Sequence, residues 1–215
     1  TSPGQSFGVA VFKPYFGDAL GMADARVTLL YVIAAAMAAA PMFFVGWLMD
    51  RIGPRLTMLG AVAMVGLGCL ATSRAAGPIT LFLGFLMLRM FGQGALGMLA
   101  GNTLAMWFHR RLGVVQGIMA TGMAGSIMLM PMFILWLIEE TGSWRGAYTW
   151  LGLIVVALMA PLLFLVYRNR PEDIGQWPDG DPPGAASVEG DDTTGAPASV
   201  GHSFTLGQAM KTRAL

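Results

Sequence analysis

Five long apolar segments constrain what this chain can fold into more than any other feature of its sequence. None of them contains Asp or Glu, and they cover residues 27–49, 56–74, 79–107, 112–138 and 146–167. A helix needs about 17–25 mostly apolar residues to cross a bilayer. Only 12% of the residues are charged, against roughly 25% in a soluble domain. The sequence therefore predicts an all-α, polytopic membrane protein.

The links between these segments are short, which limits how consecutive helices can be arranged. They span residues 50–55, 74–78, 109–111 and 139–145. Short links make neighbouring helices run antiparallel, as in a helical bundle. The first 20 residues are moderately apolar and begin without Met, so we interpret residues 1–20 as part of a truncated first helix. A six-helix bundle is thus predicted over residues 1–167.

The composition changes abruptly after Tyr167. Residues 168–205 are rich in Pro, Gly, Ala, Ser, Thr and Asp. Such a stretch cannot bury enough apolar surface to offset the entropy lost on ordering, so a flexible linker is predicted. Residues 206–215 have the pattern of an amphipathic lead-in to another helix. We expect this to be the truncated start of a second, C-terminal helical half.

The basic residues of the short links predict the orientation of the bundle, because Lys and Arg are enriched in cytoplasmic loops. One face collects six basic side chains, namely Arg51, Arg55, Arg110, Arg111, Arg168 and Arg170. The other face mixes basic and acidic side chains, namely Lys13, Arg26, Arg74, Arg145, Asp18, Asp24, Glu139 and Glu140. The link over residues 50–55 and the linker over 168–205 are therefore expected in the cytoplasm.

A compact charged motif fills the link between the first two long segments. Its spacing is Gly-x-x-x-Asp-Arg-x-Gly-x-Arg, formed by Gly46, Asp50, Arg51, Gly53 and Arg55. This motif resembles the loop between the second and third helices of the major facilitator superfamily of secondary transporters. The resemblance implies that the Asp caps a neighbouring helix, that the Arg residues pair across the cytoplasmic face, and that the motif controls the conformational balance. An ordinary charged turn is the alternative.

A second motif joins the fourth and fifth predicted helices. Trp107, Phe108, Arg110, Arg111 and Gly117 resemble the corresponding segment of the monocarboxylate and oxalate/formate branch of the same superfamily, although that branch usually has Ala at position 115. Segments 6–14 and 170–175 resemble the same branch. The resemblance implies the N-terminal half of a twelve-helix fold in a bacterial inner membrane. As an alternative, the arginine pair only anchors the helix end in the cytoplasm.

Arg89 is the one charged residue deep inside an apolar segment. A charge within the bilayer is costly and is expected to face the bundle interior or a water-filled cavity. Gln93 follows at i+4 and lies on the same helix face. The segment resembles the superfamily's fourth-helix arginine motif, with Gln one place later than usual. Two roles stay open: Arg89 with Gln93 binds an anionic substrate, or Arg89 is structural and hydrogen-bonds backbone carbonyls of a neighbouring helix.

Small residues and prolines predict how the helices pack and bend. Gly97 with Gly101, and Gly113 with Gly117, have the four-residue spacing that lets helix backbones approach closely. Pro41, Pro131 and Pro161 are predicted to kink their helices.

The predicted function is secondary transport of a small solute, with a small organic anion favoured because Arg89 is the only intramembrane charge. The expected partners are the lipid bilayer, this substrate, a coupling proton or counter-substrate, and the missing C-terminal half. No catalytic, metal or cofactor site is predicted, and a net charge of +1 indicates no nucleic-acid partner. The alternatives are an exporter of drugs or other metabolites, and a non-transporting membrane scaffold or sensor; a membrane enzyme would need a catalytic cluster.

Overall fold

The computed structural model describes residues 6–108, 110–165, 167 and 175. Along this part of the chain the helices are α1 Ser6–Leu20, α2 Asp24–Met37, α3 Met42–Ile52, α4 Pro54–Ser73, α5 Pro78–Met87, a π-helical segment Leu88–Ala95, α6 Leu96–Trp107, α7 Leu112–Thr141 and α8 Trp144–Leu165. The described residues are thus all-α, as predicted. The predicted linker and restart lie outside the described residues, apart from Gly175.

Four of the five apolar segments recur as membrane-length helices, and the fifth recurs as a bent pair of shorter helices. Four helical stretches are long and apolar enough to cross a bilayer: α4, α7, α8 and the continuous run Pro78–Trp107. The fifth is the pair α2 and α3, which qualifies together and is bent by 46°. The surfaces of these helices expose large apolar side chains such as Phe43 and Met128. An apolar surface of this extent fits a lipid environment, and the chain is a multi-pass membrane protein.

The link between α3 and α4 is tighter than the sequence predicted. Asp50 and Arg51 lie in the last turn of α3, and Arg55 lies in the first turn of α4. Only Gly53 stands between the two helices, with a φ of 87° that glycine adopts without strain. Pro54 then starts α4, since its fixed φ suits the first helical position. The predicted turn over 50–55 is therefore wrong in extent: the charges are on helix ends.

The three prolines differ in whether they interrupt their helices. The α2–α3 break falls over Ala38–Pro41, so Pro41 marks the 46° bend. By contrast, α7 continues through Pro131 and α8 continues through Pro161.

One close helix approach joins α4 and α8. A methyl group on Gly152 would lie 2.8 Å from Cβ of Cys69 and 3.2 Å from the carbonyl oxygen of Gly66. The glycine pairs that the spacing predicted to pack closely do not lie at this contact. Nothing in the described residues lies within 4 Å of a methyl group built on Gly97 or on Gly101. The same holds for the pair on α7. Among the described residues, the predicted close approach at these pairs is wrong.

Two buried clusters hold the bundle together. The larger one contains an aromatic group of Phe12, Phe16, Phe85 and Tyr148 near the turns α1–α2 and α7–α8. Phe12 and Tyr148 have ring centroids 4.2 Å apart. The smaller cluster lies near the α3–α4 turn and is formed by Val45, Met58, Ala61, Ala95 and Leu99. The helices thus meet near both ends of the bundle.

Candidate functional site

Arg89 lies in the π-helical segment Leu88–Ala95, inside the long run Pro78–Trp107. Short π-helical stretches within α-helices occur frequently at functional sites. Counting 11 residues from Pro78 at 1.5 Å per residue places Arg89 about 17 Å along this run. That depth is near the middle of a hydrocarbon core about 30 Å thick. The structure therefore keeps Arg89 well inside the membrane-spanning part of its helix.

Arg89 contacts one side chain on its own helix and one on α2. Its Nη1 donates a hydrogen bond to Oε1 of Gln93. Its Cζ atom lies 5.0 Å from the ring centroid of Tyr31, a cation–π distance. The two predicted residues therefore act as one pair, as their i,i+4 spacing indicated. No carboxylate pairs with Arg89 within the described ranges, where the ion pair formed is Lys13 with Asp24.

A small cavity of about 260 Å³ opens beside this pair. Its walls come from both sides of the α2–α3 break and from the π-helical segment: Ala35, Ala38, Ala39, Met42, Arg89, Gln93 and Gly94. Three of these are alanines, and Arg89 is the charged one. The volume is below the roughly 300–1,000 Å³ of drug-sized pockets. This cavity, called the Arg89 cavity below, fits a small anion.

The α2–α3 break and the π-helical segment meet at Met42. A methyl group on Gly94 would lie 2.6 Å from Sδ of Met42. One turn further along α3, a methyl group on Gly46 would lie 3.1 Å from Cε of Met98 on α6. Gly46 of the charged motif therefore lets α3 pack against α6. This packing links the Arg89 cavity to the motif through one helix.

Asp50 is exposed on the last turn of α3, eight residues or about 12 Å beyond Met42 at 1.5 Å per residue. Its carboxylate makes no hydrogen bond or ion pair to other described residues. The N-cap position of α4 is Gly53, which has no side chain to serve as a cap. The geometry places Asp50 at one end of the bundle and away from the cavity.

The two arginines of the charged motif have aromatic neighbours. Arg51 lies over the ring of Trp47, with its Cζ 5.1 Å from the ring centroid. Arg55 donates a hydrogen bond to the carbonyl oxygen of Phe164 and lies 4.9 Å from the centroid of that ring. Arg55 therefore ties the start of α4 to the end of α8.

The second motif forms the turn between α6 and α7. Trp107 ends α6, and Phe108 follows in an extended conformation. Arg111 occupies the N-cap position of α7, and both Arg110 and Arg111 are exposed. Gly117 is exposed one and a half turns into α7. These residues lie at a bundle end and outside the Arg89 cavity.

Sequence reasoning missed three contributors to these sites. Tyr31, whose ring contacts the guanidinium of Arg89, is an aromatic residue in an apolar segment. Its spacing in the sequence does not indicate a functional role. Tyr167 forms a hydrogen bond with Thr103 of α6. Lys13, counted from sequence with the bundle-end charges, forms an ion pair with Asp24 of α2.

Metal ligands do not cluster in the part of the chain that the structure describes: it holds no group of three or more His, Cys, Asp or Glu side chains. The functional groups at or beside the Arg89 cavity are therefore a guanidinium, an amide and an aromatic ring. This arrangement can bind a planar anion, and it contains no nucleophile or paired acid and base.

Comparison with known proteins adds a family and several relatives. The sequence model of the Major Facilitator Superfamily matches residues 2–211. The chain is 25% identical over 173 residues to "Nitrate/nitrite transporter NrtP" of Nostoc punctiforme, which covers 78% of the chain and 34% of that protein. It is 34% identical over 128 residues to "Monocarboxylate transporter 11" of Homo sapiens, covering 58% and 27%.

A third relative is named for efflux. The chain is 31% identical over 119 residues to the "Fujikurins efflux protein" of Gibberella fujikuroi, covering 54% of the chain and 26% of that protein. The chain thus spans about a quarter to a third of the length of these relatives. No solved structure matches this sequence.

Proposed function

The chain belongs to the major facilitator superfamily, and from that premise we propose that it is the N-terminal half of a secondary transporter for a small organic anion, such as a mono- or dicarboxylate. The proposed mechanism is alternating access, in which two helical halves rock about a site near the bilayer midplane. The second half, and a coupling proton or counter-substrate, complete the mechanism. The proposal includes a bacterial inner membrane as the location, with the α3–α4 turn in the cytoplasm.

One observation carries this proposal: Arg89 is a permanent positive charge inside the membrane without a carboxylate partner among the described residues. A guanidinium keeps its proton at any accessible pH. A charge at this depth is unfavourable unless a counter-charge or polar groups compensate it. Gln93 and the Tyr31 ring supply polar contacts but no negative charge. A bound anion supplies it.

The form of the site supports a small planar anion. The guanidinium fork matches the two oxygens of a carboxylate, and Gln93 offers an amide donor beside it. The Arg89 cavity holds about 260 Å³, enough for a few heavy atoms. Two of the relatives are named for nitrate/nitrite and for monocarboxylates, which are small anions. Export of a larger metabolite is the second candidate, favoured by the relative named as an efflux protein.

The charged motif is proposed to set the conformational balance. Gly46 lets α3 pack on α6, and Arg55 joins α4 to α8. A change at the motif can therefore be transmitted along α3, whose first residue Met42 also lines the Arg89 cavity. Asp50 lies about 12 Å along α3 from that cavity, counted at 1.5 Å per residue. This distance separates the motif from substrate contact.

Uptake by the full-length protein in proteoliposomes tests the substrate class, with lactate, oxalate and nitrate as probes. In Arg89→Gln the charge is lost, and we expect at least a tenfold loss of affinity for the transported anion. In Arg89→Lys the charge stays but the fork is lost, so weak binding should remain. Arg74→Gln is the matched control, because Arg74 is exposed at the end of α4 and borders no cavity described above.

Three results would contradict the proposal. Normal affinity in a well-folded Arg89→Gln protein would reject anion binding at this residue. Loss of thermal stability and membrane yield in both Arg89 variants, in step with transport, would assign Arg89 a structural role instead. Uptake of a larger apolar solute with no response to the three anions would favour the exporter.

A further inference from the structure

A second cavity lies between α1 and α2 and contains a cation that the proposed function does not use. It holds about 340 Å³, and Val9, Lys13, Val27, Thr28 and Tyr31 are among the residues that line it. Lys13 is seven residues before the end of α1, or about 10 Å along the helix at 1.5 Å per residue. This cavity, called the Lys13 cavity below, therefore extends along α1 and α2 from the α1–α2 end.

Lys13 is held only loosely by its partner. Its Nζ lies 3.8 Å from Oδ2 of Asp24, close to the upper limit for an ion pair. The Asp24 side chain is 67% exposed and the Lys13 side chain is 34% exposed. Ion pairs in such solvated surroundings contribute little. An incoming anion can therefore replace the Asp24 carboxylate at the ammonium group with little loss.

The two cavities lie along α2 and are connected through Tyr31. Tyr31 lines the Lys13 cavity, and the guanidinium of Arg89 lies over its ring. Four and seven residues after Tyr31, Ala35 and Ala38 line the Arg89 cavity, so these three residues follow one face of α2. An edge-on contact with Phe85, at 5.6 Å between ring centroids, helps to fix the Tyr31 ring. Tyr31 of α2 thus contacts Arg89 and also lines the cavity that contains Lys13.

We propose that Lys13 is an entry site, which captures the substrate anion at the α1–α2 end before the anion reaches Arg89. This inference rests on the proposed function, because the same anion visits both cations. Asp24 competes with the anion for Lys13 in the empty protein. The ligand chemistry at this site is that of a small carboxylate or another planar oxyanion, as at Arg89.

The test exploits the opposite roles of the two partners. In Lys13→Gln we expect the KM for lactate, oxalate or nitrate to rise about five- to twentyfold for transport that starts at the α1–α2 end, with the maximal rate within twofold. In Asp24→Asn the competitor is lost, so this KM should fall up to about fivefold. For transport that starts at the opposite end, both KM values should stay within twofold of wild type. Oriented proteoliposomes of the full-length protein separate the two directions.

Matched controls remove the effect of general surface charge. Arg26→Gln and Asp18→Asn change the same charges at exposed positions on the same end of the bundle. Neither residue lines the Lys13 cavity, so both controls should keep the wild-type KM. Lys13→Arg keeps the charge and should lie between wild type and Lys13→Gln.

The outcomes separate this inference from the proposed function. Wild-type protein that transports and binds none of the three anions overturns both. Intact wild-type uptake with an unchanged KM in Lys13→Gln overturns only the entry site. A structural ion pair predicts that Lys13→Gln and Asp24→Asn shift the KM in the same direction and lower the thermal stability together, and that result also rejects the entry site.

Discussion

Replacing Gly152 by alanine tests a close contact between α4 and α8. The added methyl carbon would lie 2.8 Å from Cβ of Cys69 and 3.2 Å from the carbonyl oxygen of Gly66. Neither atom can rotate away, because one is fixed to the backbone and the other belongs to it. Carbon atoms pack best at about 3.5–4.0 Å, so α4 and α8 must separate by roughly 1 Å at this point. Overpacking of this kind costs about 1–3 kcal/mol of unfolding free energy.

Gly60→Ala is the matched control for this substitution. Gly60 is exposed on α4, and nothing lies within 4 Å of a methyl group built there. Both variants gain the helix propensity of alanine, up to about 1 kcal/mol. The difference between them therefore isolates the packing cost. At about 2–4 °C per kcal/mol for a domain of this size, Gly152→Ala should unfold roughly 2–12 °C below Gly60→Ala.

The assay uses the single cysteine of this sequence. Cys69 is fully buried against Gly152 and reacts with a thiol-specific dye only when the α4–α8 contact opens. The dye signal is followed during heating of the full-length protein in detergent, with any cysteine outside this sequence replaced by serine. Equal transition temperatures for the two variants would refute the claim that backbone proximity at Gly152 stabilises the bundle.

Two further predictions concern the ends of the bundle. Cysteines placed at Ile52 and Glu140, which are both exposed and lie at opposite ends, should label from opposite sides of sealed cells, with Ile52 reached only from the cytoplasm; labelling of Ile52 from outside would reverse the orientation. Asp50→Asn should lower the transport rate while leaving substrate affinity and thermal stability nearly unchanged, because no described residue pairs with the Asp50 carboxylate. A large loss of affinity at an unchanged maximal rate would instead give Asp50 a role in binding.

The sequence alone predicted the membrane-spanning helices and the contact between Arg89 and Gln93. The number of apolar residues between polar links is a local property, and it decides whether a helix can span a membrane. The spacing of Arg89 and Gln93 likewise places them one turn apart on any helix, so their contact followed from sequence. The position of the Gly53 turn was also foreseen, although its length was not, since Gly53 and Pro54 allow two helices to join through one residue.

Tertiary structure alone decided which side chains meet across helices. Tyr31 under Arg89, Lys13 in its cavity and the approach of Gly152 to α4 all depend on how each helix is rotated about its axis. In a soluble helix, a stripe of apolar residues reveals that rotation. Here apolar residues occur on all sides of most helices, because lipid and the bundle interior are both apolar. The pattern therefore does not reveal how each helix is rotated about its axis. The glycine pairs on α6 and α7 illustrate this. Their spacing suits close packing, yet within the described residues they face open space. The close glycine contact forms instead at Gly152, where α4 and α8 cross.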